Sequence, residues 1–385
     1  MDPIPQKTAA AKYDRLRLLV MQPTPFCNLD CSYCYLPHRN ITKRMSQETV
    51  DAVFTDLLIA PFVGNRLSIV WHAGEPLVAG LPFYVRALES SRRLGMRGCD
   101  VRHSIQTNAT IINEEWCKFF KQERVRVGVS VDGPAFLHDR NRRTRTGRGT
   151  HAKVMRGIES LQRNGIDFYG LCVLTRESLN YADELFEFFS SLGLTQLCFN
   201  VEEVEGCHSG SSLDAADMER DCRDFFDRFY DLCADANIQV REFQALRRLI
   251  LSGRYDRPNT QCVPFSILSV DTDGNFSSFS PELLSNSHPN YGRFMFGNIH
   301  RDSFISMLDS KQFRRVLSDI NSGVTKCRET CEHFVLCRGG APSNKVFENG
   351  TFDSAETMYC RLAKKALIDV CLNKIESELP QFALT

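Results

Sequence analysis

Cysteine supplies the first chemistry in this sequence. Cys27, Cys31 and Cys34 lie in CNLDCSYCY, a C-x3-C-x2-C spacing, directly after Pro23 and Pro25. Three thiolates so close on one loop can hold three irons of a 4Fe–4S cluster, leaving the fourth iron open to a substrate. A zinc ion would want four ligands, and His38 is the nearby fourth candidate. Core cysteines have no reason to crowd a loop behind two prolines. A second set, Cys327, Cys331, Cys337 and Cys360, has the spacing C-x3-C-x5-C-x22-C. Four thiolates can close a 4Fe–4S cluster or hold structural zinc, and spacing alone does not separate the two.

These residues need elements to position them. Runs rich in apolar residues at Leu16–Met21, Leu67–Trp71, Val101–Gln106, Val125–Val131, Asp167–Leu174 and Gln196–Val201 read mostly as strands buried on both faces. Amphipathic stretches near 46–60, 82–94, 114–122, 150–164 and 180–191 read as the helices between them. Six such units in order imply parallel strands joined by right-handed crossovers. A closed eight-fold barrel would need about 250 residues, so six units suit a partial (β/α)6 TIM-like barrel of an α/β protein. In such folds chemistry gathers at the carboxyl ends of the strands, where Cys27–Cys34 follow strand one. The pattern then changes. Helical stretches at Leu213–Ala236 and Arg241–Leu251 lead to a Pro/Asn-rich junction at Arg257–Thr260. Turn signals at Asp273-Gly274, Pro281, Pro289, Gly292 and Gly297, the second cysteine set and a helix near 355–378 follow. The expected division is a barrel over 1–237, a bridging segment over 238–258 and a smaller, loop-rich domain over 259–385 that ends in a helix.

Composition narrows the function. The chain has 385 residues, with 47 Lys+Arg against 47 Asp+Glu, so no net charge draws it to nucleic acid or an anionic membrane surface. Its apolar runs are too short to span a bilayer, and its first 20 residues hold no signal-peptide core. Sixteen cysteines in a chain this long do not suggest a secreted disulfide scaffold, so a cytoplasmic location with reduced thiols is expected. Outside the two sets, Cys99, Cys117, Cys172, Cys198, Cys207, Cys222, Cys233, Cys262 and Cys371 read as small core hydrophobes.

The first motif, with Tyr35 behind it after strand one of a barrel-like chain, resembles the radical S-adenosylmethionine (SAM) enzymes. The resemblance implies a 4Fe–4S cluster on Cys27, Cys31 and Cys34 whose open iron chelates the SAM amino and carboxylate groups. It implies cleavage of SAM by one electron to methionine and a 5′-deoxyadenosyl radical, with the protein supplying position and shielding. Ala73-Gly74-Glu75-Pro76 is similar to the family's Gly-Gly-Glu-Pro motif, which holds the SAM amino group. Ala73 departs from it, while Gly74 still permits close backbone approach. Ser130 and Asp132 match the family's Ser-x-Asp-Gly stretch, whose Ser contacts the SAM ribose or carboxylate. Arg142 stands at the offset from which peptide-modifying members pair an Arg with the SAM carboxylate. Its neighbours Arg140, Arg143, Arg145 and Arg148 read equally as a solvated basic loop. Tyr35 either packs near the adenine or only packs, and Asn108 either joins the pocket or satisfies its own turn.

The second set resembles the SPASM extension of radical SAM peptide maturases, which binds auxiliary clusters. The full pattern also carries a Cys, a Gly-x4-Cys and a Cys four residues past the third of the later run. Here Cys262 and Gly274 are present, but Phe279 and Ala341 fill the other places. One auxiliary 4Fe–4S cluster on Cys327, Cys331, Cys337 and Cys360 is therefore expected, with Cys262 a core thiol. Sulfatase-maturating enzymes share this architecture but follow the Gly-x4-Cys cysteine with an acidic base, and Ser280 stands there.

Stretches spread over nearly the whole chain resemble the cyclophane-forming radical SAM/SPASM maturases, including those acting on glycine-rich-repeat precursors. They are LVMQPTPFCNLDCSYCYLP, VWHAGEPLV, RHSIQTNAT, VGVSVDGPAFLHDRNRRTRTGRGTH, FNVEEVEG, FSSFSPELL and CRGGAPSNKVFENG. This resemblance implies a ribosomally made precursor peptide and a flavodoxin- or ferredoxin-type electron donor. A side-chain Cβ radical would attack the ring of an aromatic residue two positions earlier. Loss of one electron and one proton would close a three-residue ring, with the auxiliary cluster as electron acceptor. Rearomatisation needs a base, and by location the candidates are Glu202, Glu203 and Glu205 after strand six, His72 after strand two, and Glu282. Each could instead be a hydrogen-bonded structural group or a solvated charge. Formylglycine or thioether formation is the alternative within the enzyme class, and a zinc-stabilised module outside it. Some 15 residues precede strand one, too few for a leader-binding domain, so a leader would add to a sheet edge or arrive on a partner.

Overall fold

The computed structural model describes residues 15–234 and 236–378. Residues 1–14, most of the N-terminal stretch read as lacking a signal-peptide core and nearly all of the short segment ahead of strand one, lie outside the described residues. Six strands form the frame: β1 (Leu16–Met21), β2 (Val63–Trp71), β3 (Asp100–Thr107), β4 (Arg126–Ser130), β5 (Phe168–Leu174) and β6 (Gln196–Val201). They pair in sequence order, every pair parallel. The crossovers carry α1 (Gln47–Ile59), α2 (Leu81–Gly95), α3 (Glu114–Glu123), α4 (Ala135–Asn141), α5 (His151–Arg163) and α6 (Ala182–Ser191). This is the expected α/β arrangement, with α4 added between β4 and β5. Side-chain caps start several helices: Ser46 accepts from Thr49 N at α1, and Asn113 accepts from Trp116 N at α3.

The sheet continues past both expected domain boundaries. After α7 (Met218–Ala234), β7 (Gln239–Val240) pairs with β6, and α8 (Arg241–Ser252) follows. The chain then returns to the opposite edge. There β8 (Ile267–Val270) pairs parallel with β1, from Leu18↔Ile267 to Met21↔Val270, and β9 (Asn275–Ser278) turns back antiparallel. β10 (Ser287–His288) and β11 (Gly292–Arg293) make a small hairpin, and β12 (Gly297–Asn298) pairs with β9. The result is one ten-stranded sheet in the order β12-β9-β8-β1-β2-β3-β4-β5-β6-β7. The segment after 259 is thus not a layer apart: β8 covers the edge of β1, whose backbone groups would otherwise lack partners.

The cysteine-bearing segment is also more helical than its turn signals suggest. α9 (Lys311–Thr330) is capped by Ser310, and its buried face carries Phe313, Val316, Ile320, Gly323 and Cys327. α10 (Phe334–Cys337) and α11 (Pro342–Asn349) follow. A π turn over Cys360–Lys365 feeds α12 (Ala366–Glu378), which packs on α7 and α8 and ties to α7 through Arg223–Asp369 at 2.9 Å. Among the described residues, no helix is long and apolar enough to cross a membrane.

Candidate active site

The carboxyl ends of the strands converge on a cavity of about 220 Å³. The loop after β1 brings Cys27, Cys31, Cys34 and Tyr35; β2 brings His72, Ala73, Gly74 and Glu75; β3 brings Asn108; and β4 brings Ser130. Arg142 follows α4, Glu202, Glu203 and Glu205 follow β6, and Glu282 follows β9. Residues separated by more than 250 positions therefore share one wall. Tyr33, Gln106, Thr107 and Asn200 also line it, although no motif points to them. Their signal is adjacency: Tyr33 lies between two motif cysteines, and Gln106-Thr107 lead into Asn108.

Close backbone approach shapes the β2 corner. Gly74 has φ +69°, and a Cβ there would lie 2.4 Å from Thr24 O and 2.6 Å from Phe26 O. Only glycine lets the cysteine loop lie against this turn. Glu75 N donates to Phe26 O at 2.8 Å, closing the same contact. The Glu75 carboxylate accepts from Thr107 Oγ1 at 2.6 Å, Asn108 N at 2.8 Å and Leu77 N at 3.1 Å. Burial nonetheless raises its pKa to about 7. Asn108 serves its own turn, accepting from Thr110 N at 3.0 Å, and also donates to Asn28 Oδ1 at 2.8 Å. Gln106 Nε2 donates to Ser130 Oγ at 2.9 Å.

Two expectations change on the β4 side. Asp132 does not line the cavity. It accepts from Arg142 Nε at 2.9 Å and Nη2 at 3.1 Å, from Tyr33 Oη at 2.5 Å and from Val173 N at 3.0 Å. With both carboxylate oxygens occupied by protein donors, Asp132 positions Arg142 rather than meeting a ligand. Arg142 does face the cavity, but its fork is closed on Asp132 and its guanidinium lies 5.5 Å from the centre of the Tyr33 ring.

The carboxylates after β6 divide. Glu202 accepts from His208 Nε2 at 3.1 Å, Ser212 N at 2.9 Å and Ser212 Oγ, so it closes its own loop. Of the two readings open to this candidate base, these contacts favour the hydrogen-bonded structural one. Glu203 and Glu205 both receive Asn344 Nδ2, at 2.7 and 3.2 Å. Burial and repulsion from Glu282 raise Glu203 to about 7, burial and repulsion from Glu203 and Glu282 raise Glu205 well above the usual carboxylate range, and burial raises Glu282. His72 Nδ1 is buried without a hydrogen-bond partner, and burial lowers its pKa to about 4, so the ring is neutral at physiological pH. A neutral imidazole this hard to protonate is a poor base.

The second cysteine set also shares one space. Cys327, Cys331, Cys337 and Cys360 line a single small cavity with Lys364 and Lys365. Lys345 Nζ lies 3.4 Å from Cys327 Sγ. Phe279, where the resemblance puts a ligand, is fully buried and stacks on Phe313 with ring centres 5.5 Å apart. Ser280 Oγ donates to Gln261 Oε1 at 3.0 Å. Cys262 is buried, 3.4 Å from Gly340 O. Among the other cysteines, Cys207 departs from the expected core role: it is exposed, with Sγ 3.4 Å from Cys34 O. Among the described residues, no three Cys, His, Asp or Glu side chains converge on one point as a single-ion site requires. Each cysteine set instead lines a shared space.

Residues 21–189 match the model of the radical SAM superfamily. An uncharacterized protein of Synechocystis sp. is 45% identical over 94% of this chain and 92% of its own length. The chain belongs to the radical SAM superfamily. A cysteine-type anaerobic sulfatase-maturating enzyme of Clostridium perfringens is 26% identical over 84% of this chain and 88% of its own. The solved structure of native anSMEcpe with bound AdoMet and Cp18Cys peptide has the same fold, with TM-score 0.77 at 23% identity over 94% of this chain and 98% of that one. Membership of this superfamily gives the chain SAM and a SAM-binding 4Fe–4S cluster as cofactors. The geometry fits such groups. The orphaned His72 Nδ1 belongs to a cavity-lining residue, and the two thiol sets are ligands of the right softness.

Proposed function

We propose that this radical SAM protein is a peptide maturase that joins an aromatic ring to a downstream side-chain Cβ, forming three-residue cyclophanes in a ribosomally made precursor. In this reading Cys27, Cys31 and Cys34 hold the SAM-binding cluster, and Cys327, Cys331, Cys337 and Cys360 the auxiliary one. When bound, these groups supply a 5′-deoxyadenosyl radical and an acceptor for one electron. The chain supplies the rest. Gly74 and Glu75 set the wall against SAM, with Tyr35, Ala73, Asn108 and Ser130 around it, while Asp132 holds Arg142 in place. Glu282 takes the proton released on rearomatisation. It lines the cavity, and no other side chain is hydrogen-bonded to its carboxylate among the described residues. A flavodoxin- or ferredoxin-type protein delivers the reducing electron.

The observation that carries the reading over sulfatase maturation is the packing after β9. Phe279 and Ser280 stand where a cluster ligand and an acidic base would be, and both are buried in protein contacts. Glu282, two residues on, is the acid that reaches the cavity.

The test is tandem mass spectrometry of a small peptide encoded beside this gene, co-expressed with the enzyme. Loss of two hydrogens, with fragmentation suppressed inside one segment that starts at an aromatic residue, is expected. A formylglycine mass, or a crosslink through a cysteine sulfur, would replace this reading with the sulfatase or thioether chemistry.

A further inference from the structure

The first five residues of α11, Pro342 to Val346, are all buried, and one of them is a lysine. Lys345 is 4% exposed, so its amine is not carried out to water as a surface lysine's is. A buried ammonium needs a countercharge. Among the described residues no Asp or Glu side chain pairs with it, whereas nearby lysines are matched, Lys326 by Asp353 and Lys365 by Glu356. Lys345 Nζ instead donates to Cys327 Sγ at 3.4 Å. The fold makes room for this contact. A Cβ on Gly323, one turn before Cys327 in α9, would stand 3.1 Å from Nζ. An anionic sulfur on Cys327 is the partner that would balance the amine.

The first cysteine set is arranged otherwise. Arg142, the buried cation on its cavity wall, is matched by Asp132 through two hydrogen bonds. That pair adds no net charge beside Cys27, Cys31 and Cys34. Hydrogen bonds to the sulfurs and net charge set the potential of an iron–sulfur cluster. A cation on a ligand sulfur favours the reduced form, which is one charge more negative. A larger cavity, of about 680 Å³, adjoins the SAM-side cavity at Glu203 and Glu282 and the second cysteine space at Cys337 and Gly340. A substrate radical held there would face the second set.

We propose that Lys345, acting through Cys327, raises the reduction potential of the auxiliary cluster and so makes the second set the electron-accepting one. This rests on the reading that Cys327, Cys331, Cys337 and Cys360 hold a 4Fe–4S cluster. In the proposed reaction the ring radical loses one electron to that cluster and one proton to Glu282, and the ring regains aromaticity. Lys345 stabilises the electron where it arrives.

The test is a reductive titration of the cluster-loaded protein without peptide, followed by electron paramagnetic resonance. Lys345→Met should lower the auxiliary potential by at least a tenfold shift in the reduction equilibrium, about 59 mV for one electron, and leave the SAM-side potential unchanged. Lys345→Gln keeps a donor without the charge and should fall between. Lys345→Arg keeps both and should stay near the wild type. A lysine that only packs would not move the potential of a fully loaded cluster. Should Lys345→Met lose the second cluster's iron, Lys345→Gln decides. In the wild type, isotopic labelling of the lysine amines should give the reduced auxiliary cluster a weak nitrogen coupling that Lys345→Arg abolishes. Iron for one cluster only in the wild type, about four atoms per chain, would fault the auxiliary-cluster reading and the proposal with it. Two clusters, with an auxiliary potential indifferent to Lys345, would overturn the proposal alone.

Discussion

Ala73 holds φ at +70°, in the left-handed region, on the turn where the related motif has glycine. A Cβ there costs about 1 kcal/mol, partly offset because glycine is freer in the unfolded chain. Ala73→Gly should therefore raise the denaturation midpoint slightly, by less than about 1 kcal/mol of stability. A loss of stability in urea unfolding of the cluster-loaded protein would mean that the methyl packs usefully. Asp132 is a sharper case. Its pair with Arg142 is buried, at 4% and 8% side-chain exposure, and Tyr33 and Val173 complete it. Asp132→Asn should leave a buried guanidinium short of charge and cost about 3 kcal/mol or more. SAM affinity, read by equilibrium dialysis, should fall with it, because Arg142 would lose its orientation. Unchanged stability and SAM binding would show that Tyr33 alone holds Arg142. The sequence pattern places Asp132 near SAM because it lies two residues from Ser130. It cannot reveal that Tyr33, 99 residues earlier, donates to it. Motif adjacency identifies who is near the site, but partners across the sheet decide which way each side chain faces.

At the scale of elements, legibility follows length and periodicity. The six parallel strands and their main helices lie within a few residues of expectation because each is a run long enough to show its period. β8 and β9 are four residues each, and β8 exists through its pairing with β1 some 250 positions away, which no local pattern carries. α9 has the right apolar spacing, but Asn321, Ser322, Gly323 and Thr325 weaken its middle and mask it. Gly323 is there for a reason. A Cβ would meet Phe352 O at 2.2 Å and Ser354 O at 2.9 Å, so the helix needs glycine to lie against the 352–354 loop. That contact places Cys327, one turn on, against the cavity it shares with Cys331, Cys337 and Cys360. Gly323→Val should push the helix off and empty the auxiliary site while sparing the β1 loop. Iron analysis should fall by about four atoms per chain, one cluster's worth, with SAM cleavage retained. Full iron content would show that the helix can shift without disturbing its cysteine.

At the scale of the whole molecule, three spaces adjoin one another through shared walls. The SAM-side cavity meets the larger cavity at Glu203 and Glu282, and the larger cavity meets the second cysteine space at Cys337, Gly340 and Lys364. A peptide lying in the middle space would touch the wall of both cysteine sets at once. The sheet makes this possible by carrying the first set on its β1 loop and returning to β1 with β8, so that the later segment closes over the same cavity. In the proposed reaction, separation of the two thiol sets would let hydrogen removal and electron removal fail independently. Cys337→Ala alters the thiol that faces both the middle space and the second set. It should leave cleavage of SAM to 5′-deoxyadenosine running, now uncoupled from product, while crosslinked peptide falls by about two orders of magnitude, as for loss of a required step. Chromatography of deoxyadenosine against peptide mass would read the two yields in one reaction. Matching yields at the wild-type ratio would refute any role for the second set in completing the bond, and would move the electron's exit to another route.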